Sequence, residues 1–138
     1  ADAIGRATRD VFGNASSVHH FGQQAKTVLD EARSAVAGAI GGDPSEVVFT
    51  SGGTEADNLA VLGAADRRGG VLVCSATEHH AVLDAVESRG GRVVPVGPDG
   101  VIDLDALAAA LDDDVTLVSV MLANNEVGTI QPLDEVPA

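Results

Sequence analysis

Short apolar runs alternate with segments of helical periodicity along most of the chain. The apolar runs predict strands at 47–50, 71–74, 93–96 and 115–121. Amphipathic patterns between and before them predict helices at 21–40, 55–67, 80–88 and 104–111. Continuous apolar strands are typical of parallel sheets that are buried on both faces. The sequence therefore predicts an α/β fold in which a mostly parallel sheet is covered by helices on both faces.

Polar clusters follow three of the predicted strands. They occupy residues 51–54, 75–80 and 123–126, and they contain glycine, histidine and asparagine. In open parallel sheets, ligands bind at the carboxyl ends of the strands. If the strands are parallel, the three clusters lie on one edge of the sheet and converge in one pocket.

The first cluster, Ser-Gly-Gly-Thr at 51–54, joins a predicted strand to a predicted helix. Glycines allow close backbone approach to an anion, and free N–H groups at a helix start point towards it. Thr54 is the predicted N-cap, with Asp57 in the capping-box position. The spacing matches neither a Walker loop nor GxGxxG, which favours a small phosphorylated cofactor. A capped turn without a ligand is the alternative interpretation.

Composition narrows the possible partners. The chain has 138 residues, 45% of them hydrophobic, and a formal net charge of −13. Its eight basic residues include a single lysine, Lys26, and form no basic stripe, so we expect no nucleic-acid binding and no anionic membrane surface as a partner. No apolar run has transmembrane length. The single cysteine, Cys74, excludes an internal disulfide and indicates a cytoplasmic protein; it lies in a buried strand, which favours a structural thiol.

Two histidine pairs, His19-His20 and His79-His80, raise the question of a metal site. Adjacent side chains point in different directions on a helix or a strand, and no further ligand cluster is evident. We therefore predict no metal. Without further information His79 is most simply a helix-start residue, and Asn124-Asn125 is most simply turn chemistry before Gly128.

Four motifs occur in order between about Phe12 and Pro132. They are Phe-Gly-Asn-Ala-Ser-Ser-Val-His at 12–19, Phe-Thr-Ser-Gly-Gly-Thr-Glu at 49–55, Thr-Glu-His-His-Ala-Val-Leu at 77–83 and Asn-Asn-Glu-Val-Gly-Thr-Ile-Gln-Pro at 124–132. In these motifs the chain resembles the N-terminal part of cysteine desulfurases of the NifS/IscS type. These enzymes belong to the class V aminotransferase group of fold-type I pyridoxal-phosphate enzymes. The resemblance implies that 1–138 is the N-terminal part of the cofactor-binding large domain, with the C-terminal remainder absent.

The resemblance also implies roles for individual residues. Gly53 and Thr54 match the contacts to the phosphate of pyridoxal 5'-phosphate. His79 matches the catalytic histidine that stacks on the pyridine ring and assists proton transfer. Asn125 matches the amide that hydrogen-bonds the phenolic oxygen of the cofactor.

The activity implied by the resemblance is the removal of sulfur from L-cysteine. A protein thiolate takes the sulfur as a persulfide, L-alanine is released, and acceptor proteins such as an iron–sulfur scaffold receive the sulfur. Family members form homodimers.

The family's cofactor lysine, the acid that pairs with the ring nitrogen and the nucleophilic cysteine would all follow Ala138. We therefore expect residues 1–138 alone to be inactive. One alternative is a non-catalytic α/β module that binds phosphate or a cofactor. Another is a lyase of the same group, such as selenocysteine lyase.

Overall fold

The computed structural model describes residues 2–136, which divide into two compact units between Phe49 and Thr50. The first unit contains two helices, α1 (Asp2–Asp10) and α2 (His20–Ile40), and a 3₁₀ turn at Pro44–Glu46. The second unit contains the sheet and three further helices. Its elements are α3 (Gly53–Arg68), β1 (Val71–Ser75), α4 (His80–Ser88), β2 (Arg92–Val94), α5 (Leu104–Ala110), β3 (Val115–Ser119) and a 3₁₀ turn at Leu133–Glu135. That all these residues belong to one larger domain stays a prediction.

The three strands form a parallel sheet in the order β2-β1-β3. Cys74 in the central strand lies opposite Val93 on one side and Ser119 on the other. The predicted α/β class with parallel strands is therefore confirmed. As parallel pairing requires, the carboxyl ends of β1 and β3 lie at the same edge of the sheet.

The central strand β1 is apolar along its length because both of its faces are covered. Successive side chains of a strand point to opposite faces, so Leu72 and Cys74 contribute to one cluster and Val73 to another. The first cluster includes Val61 of α3 and Val82, Ala85 and Val86 of α4. The second includes Val94, Ile102 and Leu107 of the β2–α5 region. Helical cover on both faces, as predicted, follows from these two clusters.

Helix α2 in the first unit has well-defined ends. The His19 Nδ1 atom accepts a hydrogen bond from the Gly22 N–H at 3.3 Å and caps the start of the helix. At the other end Gly41 has φ of 72°, a left-handed conformation that favours glycine, and its N–H bonds the Ala37 carbonyl. The predicted end of this helix at residue 40 is confirmed. The cap is supplied by His19, although the Ser16-Ser17 pair preceding it has the side chains more usual for that role.

The predicted strand at 47–50 is wrong. Val47 has extended backbone angles, with φ of −89° and ψ of 119°, but residues 47–50 form no described strand. Val48 and Phe49 are 65% and 46% exposed. An apolar β-branched run becomes a strand only where a partner accepts its backbone hydrogen bonds.

Candidate functional site

A cavity of about 530 Å³ lies where the chain leaves β1 and β3 and enters α3. The lining residues are Gly53, Thr54, Asp57, His79, Met121, Ala123 and Asn125. Its volume falls within the range of small-molecule sites, about 300–1,000 Å³. The structure thus brings together all four site residues named from the sequence, while their binding roles stay predictions.

Helix α3 begins at the cavity without a side-chain cap. Its N-cap is Gly52, so the prediction of Thr54 as N-cap is wrong: Thr54 already lies in the first helical turn. The capping-box role of Asp57 fails with it. Since the first helical N–H groups have no partner within the helix, those of Gly53 and Thr54 remain available to a ligand.

Glu55 does not close the start of α3 either. Its carboxylate turns back and accepts from the Ser51 N–H at 2.8 Å and the Ser51 hydroxyl at 2.6 Å. The bond from the Ser51 hydroxyl is the main reason why the pKa of Glu55 is lowered. The Glu55 carboxylate is therefore bonded to Ser51, in the loop before α3, and the N–H groups of Gly53 and Thr54 remain free.

The space in front of α3 is suited to an anion. A Cβ atom added at Gly52 or Gly53 would meet no other atom within 4 Å. No lysine or arginine lines the cavity, so backbone N–H groups and the helix dipole would have to bind a phosphate there. The Asp57 carboxylate, one turn further along α3, opposes this attraction.

His79 caps helix α4 and lines the cavity at the same time. Its Nδ1 atom accepts a hydrogen bond from the Ala81 N–H at 3.0 Å. An accepting nitrogen carries no proton, so the neutral ring carries its proton on Nε2. No residue within 2–136 accepts a hydrogen bond from Nε2. The helix-start interpretation of His79 is correct, and it leaves one ring nitrogen for a ligand.

Asn124 and Asn125 have different environments: the Asn124 side chain bonds within the turn, and the Asn125 side chain lines the cavity. The Asn124 Oδ1 atom accepts from the N–H groups of Glu126 and Val127, both at 2.9 Å, and its carbonyl accepts from Gly128, which has φ of 78°. Asn124 therefore builds the turn. The Asn125 side chain is exposed at the cavity, where its amide can both donate and accept.

Glu78 is a residue that the sequence analysis did not single out. It is only 9% exposed, and its Oε1 atom accepts a hydrogen bond from the Met121 N–H. Burial raises its pKa, and the Asp57 charge adds to the rise, against hydrogen bonds from Met121 and Ser119 that lower it. Its only sequence signal is its place in the polar cluster that follows β1.

Cys74 lies fully buried in β1. Burial raises the pKa of its thiol to about 11, with smaller contributions from the charges of Glu78 and Glu87. The thiol is therefore protonated at neutral pH and inaccessible, which agrees with a structural role.

Neither a cluster of metal ligands nor a helix suited to crossing a membrane is found among the described residues. Within 2–136, no group of three or more histidine, cysteine or acidic residues is arranged to hold a metal ion. None of the helices described is both long and apolar enough to cross a membrane.

The chain matches one protein-family model over its whole length. The model is that of aminotransferase class-V, and the matched residues are 1–138. Among curated proteins, a cysteine desulfurase IscS of Dictyoglomus turgidum is 44% identical over 135 residues. That match covers 92% of this chain and 34% of the relative, so the chain spans about a third of the relative's length.

Two solved structures are similar to nearly the whole of this chain. A protein described as NifS-like is similar with a TM-score of 0.85 and 37% identity, over 97% of this chain and 39% of that one. A structure described as SspA in complex with cysteine has a TM-score of 0.83 and 33% identity, over 98% and 41% of the two chains.

Proposed function

Because the chain belongs to the class-V aminotransferase family, we propose that it forms part of a cysteine desulfurase that uses pyridoxal 5'-phosphate. The observation that carries the proposal is one cavity lined by an uncapped helix start, a capping histidine and an exposed amide. The similarity to an IscS cysteine desulfurase and to a structure in complex with cysteine supports L-cysteine as the substrate. These relatives do not favour the alternative of a non-catalytic module.

The residues of the cavity fit the chemical groups of the cofactor. The free N–H groups of Gly53 and Thr54 would bind the phosphate, since the start of α3 offers donors and open space. The Asn125 amide would donate to the phenolic oxygen. His79 would lie against the ring, its orientation set by the bond from Ala81.

When bound, pyridoxal phosphate stabilises the electron pair left on the α-carbon of an amino acid. His79 holds a proton on Nε2 at the cavity and is assigned to proton transfer there. In the overall reaction the C–S bond of L-cysteine breaks, an S–S bond forms on a protein thiolate, and L-alanine leaves. Cys74 is not that thiolate, because it is buried and protonated.

Several features of the whole protein belong to the same proposal. It acts as a homodimer in the cytoplasm and passes sulfur to an acceptor protein such as an iron–sulfur scaffold. By the resemblance in its motifs, the lysine that binds the cofactor lies outside residues 1–138; Lys26, the one lysine of this sequence, pairs with Asp30 at 2.6 Å within α2.

The test uses the protein expressed from its complete coding sequence. We expect a yellow protein with bound pyridoxal phosphate that forms alanine from L-cysteine; parallel assays with L-selenocysteine separate a selenocysteine lyase. The Lys26→Ala variant should retain the cofactor and the activity. A wild-type protein that neither binds pyridoxal phosphate nor forms alanine would refute the proposal, and loss of the cofactor in Lys26→Ala would refute the assignment of the lysine.

A further inference from the structure

Glu78 is the only charged side chain of residues 2–136 that is buried. None of the ion pairs within that range includes it, so no cation compensates its charge. Burying a carboxylate is unfavourable unless hydrogen bonds compensate for the lost water. The hydrogen bond that its carboxylate accepts from the Met121 N–H therefore helps to accommodate the buried charge, and it points to the segment after β3 as the place where Glu78 acts.

Two hydrogen bonds join the segment before α4 to the segment after β3. The Glu78 carboxylate accepts from the Met121 N–H, and the Asn124 Nδ2 atom donates to the Thr77 carbonyl at 3.1 Å. We call these two bonds the loop clamp. The pairing of β1 with β3 ends at Cys74 and Ser119, so beyond the sheet the loop clamp holds the two segments together.

The two residues whose side chains make the clamp bonds, Glu78 and Asn124, each immediately precede a residue that lines the cavity. His79 follows Glu78, and Asn125 follows Asn124. His79 and Asn125 are both exposed to the cavity and belong to different segments, so their separation depends on how the segments are joined. Neither Glu78 nor Asn124 lines this cavity.

We propose that Glu78 and Asn124 are positioning residues, which hold His79 and Asn125 at the separation that the ring of a pyridoxal-type cofactor requires. The inference rests on the proposed function for the identity of the ligand. The clamp acts through the position of its hydrogen-bonding atoms, so a glutamine at 78, which keeps an accepting oxygen, preserves it. Alanine at 78 or 124 removes one of the two bonds.

The test measures the affinity of the complete protein for pyridoxal phosphate by absorbance titration. Glu78→Ala should bind it about tenfold more weakly, the effect of losing one well-placed hydrogen bond. Asn124→Ala, which also loses the two turn bonds accepted by Oδ1, should bind it at least as weakly. Glu78→Gln should stay within about threefold of the wild type. Glu87→Ala, which truncates an exposed glutamate on α4, is the matched control and should bind as the wild type does.

Coupling to His79 separates positioning from a general loss of stability. If Glu78 acts through His79, the double variant Glu78→Ala/His79→Asn loses less affinity than the product of the two single losses. Losses that simply multiply would overturn the inference. Should Glu78→Ala not fold, Asn124→Ala combined with His79→Asn provides the same cycle.

Amide hydrogen exchange distinguishes failure of the inference from failure of the proposed function. Exchange at the Met121 N–H should be faster in Glu78→Ala than in the wild type, whether or not a cofactor is bound. Faster exchange with unchanged affinity for pyridoxal phosphate would overturn the positioning role and leave the proposed function intact. A wild-type protein without affinity for pyridoxal phosphate would instead refute the proposed function and, with it, the ligand named here.

Discussion

Helices α3 and α4 both begin at the cavity, but they begin in different ways. At α4, the His79 side chain accepts the Ala81 N–H. At α3, the N-cap is Gly52, and no side chain accepts from the first turn. Helix α5, which begins elsewhere in the same unit, is capped by Asp103, whose carboxylate accepts from the Ala106 N–H at 2.9 Å.

The difference shows that the backbone donors at a helix start can be satisfied by a side chain of the protein or remain available to a ligand. The capped starts of α4 and α5 satisfy a backbone donor from within the chain. The open start of α3 keeps its donors unsatisfied at a cavity, and an anion can take the place of the missing cap. We call the capped start of α4 the closed start and the uncapped start of α3 the open start. Substitutions that remove the cap of α4 or add a cap to α3 test the difference between them.

The largest effect should follow from changing the closed start at His79. Asparagine is a good N-cap, so His79→Asn should keep the free energy of unfolding near the wild-type value, whereas His79→Ala should lose about 1 kcal/mol. Both variants remove the ring, and alanine formation from L-cysteine should fall about 100-fold in each. Thermal unfolding and turnover of the complete protein measure the two effects separately.

His80 supplies the matched control for His79. It is the next residue, its side chain is exposed, and its Nδ1 atom lies 3.3 Å from the Asp84 carboxylate, away from the cavity lining. His80→Asn should keep the wild-type turnover. Wild-type turnover in His79→Asn would show that the ring has only the structural role of a cap.

A smaller effect should follow from closing the open start of α3. Gly52 has an extended backbone and open space at its Cβ position, so serine or aspartate can be introduced without a clash. Either side chain can cap α3 and should stabilise the protein by about 1 kcal/mol relative to Gly52→Ala.

The cap should compete with the phosphate for the same donors. We expect affinity for pyridoxal phosphate to fall about tenfold in Gly52→Asp, less in Gly52→Ser and least in Gly52→Ala. Inclusion of the neutral serine separates competition for N–H groups from charge repulsion. Equal affinity in all three variants would contradict an anion site at α3.

Much of this arrangement was predictable from local sequence signals. The bounds of α4 and the stop of α2 at Gly41 follow from periodicity and glycine placement. The convergence of His79 and Asn125 follows from the rule for parallel strands, because His79 comes shortly after β1 and Asn125 shortly after β3. Gly53 lines the same cavity without a described strand before it.

Other features depend on contacts that are distant in sequence. Helix α1 is short and polar in composition and has no buried residue, so it lacks the core-facing positions by which the longer helices were predicted. The segment at 47–50 has the composition of a strand but lacks a described partner. Glu78 looks like a solvated charge until the fold brings the Met121 N–H, 43 residues away, to its carboxylate. The choice between Gly52 and Thr54 as N-cap depends on backbone dihedral angles, which composition alone does not specify.

The smallest predicted effect concerns the buried carboxyl of Glu78, the residue before the N-cap of α4. Burial raises the pKa of Glu78 above the ordinary glutamate value. As pH rises through the interval between these two values, the unfolded chain loses its proton first and binds fewer protons than the folded one. The free energy of unfolding therefore falls as pH rises through this interval. Glu78→Gln cannot ionise, so its stability relative to the wild type should grow with pH there, as chemical denaturation at several pH values would measure.

Asp57 provides the control for this pH dependence, because its charge is one of the causes that raise the pKa of Glu78. In Asp57→Asn the carboxyl loses that unfavourable neighbour, so the stability difference between glutamate and glutamine at 78 should change less with pH. Helix α3 brings Asp57 to the same cavity as His79, and the test therefore reports whether the open and the closed helix starts are electrostatically coupled. A stability difference independent of pH in both backgrounds would mean that the Met121 and Ser119 hydrogen bonds fully offset burial, and that Glu78 contributes to the clamp as an ordinary carboxylate.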